Sequence, residues 1–210
     1  MKNRWKAELD GTYYAPDDIP AESFPEIAFA GRSNVGKSTL INALLDRKIA
    51  QVSSTPGKTR SINRYRITAK KPFFLVDLPG FGYAKRSKQE RDRWNDLITG
   101  YLLERTSLEV MVHLVDFRHG MLENDRQLQK MCADQDIPVQ VLFTKADKIS
   151  RGKHNPLVRA YISNGLRSLY GPIPVSAEKQ FGVDETARLI ENHLDLLPEE
   201  LWRTGRIAER

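Results

Sequence analysis

The chain has 210 residues, 40% hydrophobic and 29% charged, with a net charge of +6, which is typical of a globular protein rather than a disordered one. Its length suits one domain with a single core and leaves little room for a second. No apolar run reaches the ~18 residues of a membrane-spanning helix. The N-terminus lacks the apolar block of a secretory signal. The single cysteine, Cys132, excludes an internal disulfide or a cysteine-based zinc site. We therefore expect a cytoplasmic protein that does not associate with membranes.

Short apolar runs alternate with longer amphipathic stretches from residue 27 onward. The runs are predicted strands at 27–30, 62–68, 73–77, 109–116, 138–144 and 173–176, and the stretches are predicted helices at 37–46, 88–105, 122–134, 154–169 and 183–196. This alternation indicates an α/β fold, a three-layer sandwich in which helices cover both faces of a mostly parallel sheet. The short gap between 62–68 and 73–77 permits a hairpin. We therefore predict a six-stranded mixed sheet in which 62–68 is an antiparallel edge strand.

The predicted elements form one domain at residues 24–197. The preceding residues, 1–23, contain Pro16 and Pro20 but few apolar side chains, and we predict that they form an extended arm. Residues 198–210 are polar and are predicted to form a C-terminal tail.

A phosphate-binding loop follows the first predicted strand. The segment GRSNVGKS matches G-x-x-x-x-G-K-S between a strand and a helix, which is the context that this motif requires. Its backbone N–H groups and the helix N-terminus would surround phosphate oxygens, Lys37 would reach the β- and γ-phosphates, and the Ser38 hydroxyl would ligate Mg²⁺. The loop alone does not distinguish ATP from GTP. Its candidate nucleotide-binding residues are Gly31, Arg32, Ser33, Asn34, Val35, Gly36, Lys37, Ser38 and Thr39.

Positive charge is concentrated between residues 47 and 93. This segment contains 13 Lys and Arg but only three Asp and Glu, which gives a local net charge of +10. A field of this kind attracts polyanions such as RNA. The alternative is a solvated Lys/Arg surface without a specific partner.

A loop with the sequence TPGKT lies within this basic segment and is a candidate switch. Thr59 is the first candidate to ligate Mg²⁺ when a triphosphate is bound, and Thr55 is the competing one. Gly57 and Lys58 are candidate nucleotide contacts in the same loop. The structural alternative for this segment is a Pro-Gly turn.

A second candidate switch, Asp77-Leu78-Pro79-Gly80, ends the predicted strand at 73–77. We expect Asp77 to hold Mg²⁺ through a water molecule and the Gly80 N–H to contact the γ-phosphate, with Leu78 and Pro79 in the same nucleotide-contacting segment. Many small GTPases place a glutamine directly after this motif to orient the attacking water. Phe81 occupies that position and cannot do so. We therefore expect slow intrinsic hydrolysis.

Two later loops indicate that the base is guanine. Thr144-Lys145-Ala146-Asp147 follows a predicted strand, and the Asp147 carboxylate can accept hydrogen bonds from both the N1–H and the N2 amine of guanine, neither of which adenine offers. The Lys145 stem can lie along the base, and Thr144 is expected to link neighbouring loops through its hydroxyl. After the last strand, a backbone N–H of the segment Val175-Ser176-Ala177 would meet the base O6.

The motifs GRSNVGKS, STPGKTRSIN, DLPGFGYA, TKAD and Ser176-Ala177 occur in one order over about residues 24–196, and in this the chain resembles the EngB-type GTPases of the translation-factor-related class. The resemblance implies a Ras-like P-loop GTPase domain at 24–197 that uses Mg²⁺ and switches between GTP and GDP. It also implies a role in assembly of the large ribosomal subunit or its precursor, through rRNA and ribosomal proteins, and in normal cell division. We expect a monomer. The alternatives are a membrane-associated GTPase module and a metabolic P-loop enzyme.

The resemblance also suggests how a chain without the glutamine hydrolyses GTP. In related GTPases that have an asparagine where this chain has Asn34, a K⁺ ion near the phosphates takes the role of an arginine finger. K⁺ binding by Asn34 is therefore a hypothesis, and the alternative is that Asn34 only tolerates a strained turn. The metal-ligating candidates are Ser38, Thr59 and Asp77, and the catalytic candidates are Lys37, Asn34, Thr59 and Gly80.

Overall fold

The computed structural model describes residues 4–21, 24–50, 61–82 and 88–203. Within these ranges the strands are β1 (Lys6–Tyr13), β2 (Glu26–Gly31), β3 (Ile62–Thr68), β4 (Phe73–Asp77), β5 (Leu108–Asp116), β6 (Val139–Thr144) and β7 (Ile173–Pro174). The α-helices in the same ranges are α1 (Lys37–Leu44), α2 (Lys88–Glu104), α3 (Glu123–Ala133), α4 (His154–Ser163), α5 (Val183–Leu196) and α6 (Glu200–Arg203).

The strands form one sheet in the order β1-β3-β4-β2-β5-β6-β7. Strands β4, β2, β5, β6 and β7 are parallel, and β3 is antiparallel to both of its neighbours, β1 and β4. The predicted antiparallel direction of β3 is confirmed. Its predicted place at the edge is wrong, because β1 lies outside it, and the sheet has seven strands in the described residues rather than six.

The additional strand comes from the segment that was predicted to be an extended arm. Residues from Lys6 to Tyr13 pair along the whole of β3, and Trp5, just before them, packs edge-on against Phe73 with 5.2 Å between ring centroids. As an edge strand, β1 buries few side chains, so its sequence lacks the apolar run by which the inner strands were predicted. The division of the chain at 23/24 and 197/198 stays a prediction.

Helices cover both faces of the sheet, so the predicted three-layer α/β architecture is confirmed. Helices α1 and α5 pack on one face, over alternate residues that include Ile27 and Phe29. Helices α2 and α3 pack on the other face, over Ala28 and Ala30, and α4 covers β6 beside them. None of the helices in the described ranges has the length and hydrophobicity needed to cross a bilayer.

Helix α4 is shorter than predicted and ends at Ser163 rather than near 169. Gly165 adopts a φ of +87°, and the N–H of Leu166 bonds back to the carbonyl of Tyr161 at 3.1 Å, which closes the helix. At the other end of the chain, Trp202 in α6 donates its indole N–H to the Pro72 carbonyl at 2.8 Å, and this anchors the start of the predicted tail.

A buried ionic cluster joins the N-terminal segment to the sheet. Glu26, at the start of β2, is 0% exposed and accepts a hydrogen bond from the Tyr101 hydroxyl at 2.8 Å. The guanidinium of Arg105 contacts the same carboxylate, and that of Arg64 lies 3.6 Å from it. Arg64 also pairs with Asp10 of β1 at 2.7 Å. Two buried guanidinium groups therefore share the Glu26 carboxylate.

Candidate functional site

The predicted site residues meet at the carboxyl edge of the parallel strands, where ligands bind in open α/β sheets. The phosphate loop follows β2, the Asp77–Gly80 segment ends β4, and the two base loops follow β6 and β7. In the sheet these strands lie in the order β4-β2-β5-β6-β7. The segments that follow β4, β2, β6 and β7 therefore lie along the same edge. The predicted residues Thr59, Thr55, Gly57 and Lys58 lie outside the described residues.

The phosphate loop has the backbone geometry that its glycines predict. Gly36 has a φ of +102°, a conformation that L side chains rarely adopt, and α1 begins directly after it at Lys37. A Cβ on Gly31 would lie 2.8 Å from the Leu114 carbonyl oxygen, so only glycine fits there. The backbone N–H groups of the first helical turn, which include those of Ser38 and Thr39, have no acceptor within the helix. The loop can therefore bind an anion such as a phosphate.

A lysine and an aspartate lie together at the mouth of this loop. The Lys37 ammonium contacts the Asp77 carboxylate, and both side chains are buried. Asp77 and the hydroxyl of Ser38, the residue after Lys37, are oxygen donors, the ligands that Mg²⁺ prefers. Among the described residues, no group of three or more acidic, histidine or cysteine side chains could form a metal cage. Asp77 and Ser38 fit Mg²⁺, which usually takes one or two protein ligands and completes its shell with phosphate and water.

The segment after β4 lies directly on the phosphate loop. Ser33 donates its N–H to the Phe81 carbonyl at 2.8 Å, and Phe81 donates to the Gly31 carbonyl at 3.3 Å. A Cβ on Gly80 would lie 3.3 Å from three atoms of Ser33, so Gly80 packs closely against the loop. Leu78 is buried and donates its N–H to Phe29 at 3.0 Å. The position of Gly80 suits a backbone contact with a terminal phosphate.

Phe81, which replaces the water-orienting glutamine, points its side chain into the core. It is 3% exposed, and its ring lies 5.2 Å from that of Trp94 and 6.1 Å from that of His113, between ring centroids. The indole N–H of Trp94 in turn donates to the Pro79 carbonyl at 2.8 Å. A ring held in this way cannot reach a water molecule beside the phosphate loop.

The base loop after β6 is bonded to the phosphate loop at two points. The Thr144 hydroxyl donates to the Val35 carbonyl at 2.7 Å, as predicted for a residue that links neighbouring loops. The Lys145 ammonium donates to the Asn34 carbonyl at 2.8 Å. Asn34 has a φ of +63°, so the strained turn conformation proposed for it is present. The base loop and the phosphate loop therefore form one connected surface.

The Asp147 carboxylate is held by two hydrogen-bond donors. It accepts hydrogen bonds from the Ser176 hydroxyl at 2.7 Å and from Lys148 at 3.0 Å. The hydrogen bond from Ser176, followed by that from Lys148, holds the pKa of Asp147 below its usual value. The Ser176 N–H bonds to the Phe181 carbonyl at 2.8 Å, so the donor for the base O6 in this loop would be Ala177. The N–H of Ala146 donates to the Val175 carbonyl at 3.0 Å, which joins the two base loops.

Sequence reasoning missed two residues that shape the site. His154 brings its Nε2 within 3.1 Å of the Ala146 carbonyl and 3.0 Å of the Ile149 carbonyl, and so fixes the turn that carries Asp147. Asp116, the last residue of β5, contacts Lys145 at 3.0 Å. The only sequence signal for Asp116 was an acidic residue at the carboxyl end of an apolar strand.

Comparison with known proteins agrees with this geometry. The family described as 50S ribosome-binding GTPase matches residues 26–145. A probable GTP-binding protein EngB from Kosmotoga olearia is 43% identical over 187 residues, which span 88% of this chain and 97% of that protein. Another from Syntrophomonas wolfei is 46% identical over 184 residues, or 86% of this chain and 92% of that protein. The chain belongs to the EngB family of GTP-binding proteins.

Solved structures support the same assignment. The crystal structure of a probable GTP-binding protein engB is 27% identical in sequence, with a TM-score of 0.65. The match covers 81% of this chain and 98% of the engB chain. Era in complex with MgGDPNP and nucleotides 1506–1542 of 16S ribosomal RNA is 28% identical, with a TM-score of 0.68, over 83% of this chain and 57% of Era. The EngB-type chain therefore has the fold of a P-loop GTPase, binds guanine nucleotides and hydrolyses GTP.

Proposed function

We propose that this EngB-type GTPase is a nucleotide-gated factor in the assembly of the large ribosomal subunit, acts as a monomer in the cytoplasm, and thereby supports normal cell division. One observation carries the proposal: phosphate and guanine loops converge on one sheet edge in a chain whose family is described as ribosome-binding. A GTPase of this design uses hydrolysis to time the release of a partner.

We propose roles for the described site residues from their positions, whereas the role of Thr59 rests on the sequence alone. Lys37 and the backbone N–H groups of the phosphate loop bind the phosphates. The Gly80 N–H contacts the γ-phosphate, so the conformation of the segment after β4 depends on whether that phosphate is present. Asp147 selects guanine. Ser38, Thr59 and Asp77 would hold Mg²⁺, which when bound neutralises charge on the β- and γ-phosphates.

The basic surface of the described residues supports an RNA partner, although not every Lys and Arg in it is exposed. Arg64 is buried in the ionic cluster, while Lys70 and Lys71 form ion pairs with Asp195 and Glu199. The exposed basic side chains of the described part of this segment are Arg47, Lys48, Arg66, Lys70 and Arg93. Because such contacts release counterions, we expect ribosome binding to weaken steeply as salt rises.

The proposal is tested by co-sedimentation with purified large subunits, small subunits and lipid vesicles, each with GDP or a non-hydrolysable GTP analogue, across a salt series. We expect binding to the large subunit that requires the analogue and falls with salt. Binding to vesicles instead would favour the membrane-associated alternative. The absence of subunit binding in both nucleotide states would contradict the ribosomal role and leave the GTPase activity in place.

We also propose that K⁺ bound by Asn34 supplies positive charge beside the phosphates. This charge would compensate for the glutamine that Phe81 replaces. Exchanging K⁺ for Na⁺ should then slow GTP hydrolysis by roughly tenfold or more, because an arginine finger in this role contributes on the order of 10³ or more to the rate. The informative variant is Asn34→Gly, which retains the positive φ of this position and removes the carboxamide. We expect it to hydrolyse GTP slowly in both salts; equal rates in K⁺ and Na⁺ for the unmodified chain would exclude the K⁺ role.

A further inference from the structure

Strand β5 ends in a buried carboxylate that belongs to none of the nucleotide-binding motifs. Asp116 lies opposite Thr144 in the pairing of β5 with β6, and β5 separates β6 from β2 in the sheet. Asp116 is 4% exposed. An ionised carboxylate this deep requires compensating partners, since burial without them is costly. Its partners therefore show what the residue does.

The Lys145 ammonium is held between Asp116 and the phosphate loop. It lies 3.0 Å from the Asp116 Oδ2 and donates to the Asn34 carbonyl at 2.8 Å. Its backbone has a φ of +58°, and its side chain reaches from the base loop to the end of β5. One cation thus connects the end of β5, the base loop and the phosphate loop.

We propose that Asp116 is a positioning residue for nucleotide binding, which holds Lys145 on the Asn34 carbonyl and thereby keeps the phosphate loop in register with the guanine loop. This inference rests on the proposed nucleotide site. Asp116 acts through Lys145 and does not itself contact the nucleotide.

The peptide geometry of the loop explains why this contact matters. The Asn34 carbonyl shares a peptide plane with the Val35 N–H, so fixing one fixes the direction of the other. The Val35 carbonyl is held in turn by the Thr144 hydroxyl at 2.7 Å. Residues 34 and 35 are therefore both anchored to the base loop, and one of the two anchors depends on a flexible lysine side chain. A lysine loses much rotamer freedom when ordered, and a fixed carboxylate offsets that cost.

The ionisation of Asp116 supports the same role. Burial acts to raise its pKa, but hydrogen bonds from Arg118 and Lys145 outweigh burial and hold the pKa well below the usual range. The carboxylate is therefore charged at any physiological pH and always available to Lys145.

Asp116 also contacts Arg118, and these contacts provide a control for the role proposed through Lys145. Arg118 donates Nε to Oδ1 at 2.9 Å and Nη2 to Oδ2 at 2.7 Å, and its backbone N–H donates to Oδ1 at 3.1 Å. If Asp116 served only to hold the Arg118 side chain, removing that side chain would have the same effect as removing the carboxylate. If it acts through Lys145, the two substitutions differ.

The test measures dissociation of fluorescently labelled GDP and of a labelled non-hydrolysable GTP analogue. Asp116→Asn keeps the volume of the side chain. With the carboxamide oxygen at the Oδ1 position, it places an amide NH₂ against both the Lys145 ammonium and the Arg118 Nη2. We expect both nucleotides to leave roughly tenfold faster, the effect of losing one charge-assisted hydrogen bond. Arg118→Gln should stay within about twofold, because the partner that it removes is exposed. In a Lys145→Met background, Asp116→Asn should add no further acceleration.

Three outcomes would overturn the inference: an unchanged dissociation rate in Asp116→Asn, an equal acceleration in Arg118→Gln, or additive effects of Asp116→Asn and Lys145→Met. Asp147→Asn in the same assay, extended to labelled xanthine nucleotides, separates the inference from the site itself. If Asp147→Asn loses its preference for guanine while Asp116→Asn matches the unmodified chain, the positioning role fails and the site stands. If Asp147→Asn keeps that preference, the site assignment fails, and the inference fails with it.

Discussion

Replacing Asp147 with asparagine should convert this chain from a guanine-nucleotide binder into a xanthine-nucleotide binder. The Asp147 carboxylate is ionised and oriented by Ser176 at 2.7 Å, so it can accept the N1–H and the N2 amine of guanine together. A carboxamide presents a donor where guanine also has one, and xanthine carries an oxygen at that position instead. Sites built on such hydrogen bonds reject the wrong partner by factors on the order of 10³ or more.

The measurement is the affinity of each form for GTP, XTP and ATP. We expect Asp147→Asn to lose GTP affinity by that factor and to gain XTP affinity, with ATP weak throughout. Asp134→Asn is a matched control, since Asp134 is a surface residue of the same type, paired with Lys130 at 2.7 Å. Retention of GTP preference by Asp147→Asn would remove Asp147 from the base pocket.

Replacing Glu26 with glutamine should destabilise the fold by about 3–5 kcal/mol, the usual cost of leaving a buried charge without its partner. The carboxylate is fully buried, contacts the guanidinium of Arg105, and lies 3.6 Å from that of Arg64. Glutamine has nearly the same volume, so it leaves no cavity and changes chiefly the charge. The loss should also loosen the N-terminal segment, because Arg105 donates to the Pro20 carbonyl at 3.1 Å.

Urea unfolding of the two forms tests this prediction. Tyr101→Phe is the control: it removes one hydrogen bond to the same carboxylate, at 2.8 Å, and should cost about 1.5–3 kcal/mol, the range for a hydrogen bond to a charged group. A change below about 1 kcal/mol in Glu26→Gln would show that the ionic cluster contributes little to stability, as is found where desolvation cancels the attraction between charges.

The inner strands and the phosphate loop were predictable because local sequence determines them. Strands β3 and β4 and helix α5 have the predicted limits, since apolar runs bounded by turn residues mark buried elements. The phosphate loop was predictable because its glycines meet backbone requirements, such as the φ of +102° at Gly36, that few other residues can satisfy.

Other features depend on contacts between residues far apart in the chain. Strand β1 is stabilised by pairing with β3, whose residues lie 49 to 62 positions later in the chain, and its own sequence has only a few apolar side chains. The role of Asp116 depends on Lys145 and Asn34, and that of Glu26 on two arginines and a tyrosine. No local pattern distinguishes such residues from a solvated acid. A motif therefore identifies the chemistry of this site but not the residues that position it.

The central claim is that guanine nucleotide bound at this site controls binding to the large ribosomal subunit, and an orthogonal nucleotide tests it most directly. The measurement is co-sedimentation of Asp147→Asn with large subunits in the presence of non-hydrolysable GTP or XTP analogues, beside the unmodified chain. We predict that the unmodified chain binds with the GTP analogue, and that Asp147→Asn binds only with the XTP analogue. Binding of Asp147→Asn that is the same with either analogue, or with neither, would contradict the claim.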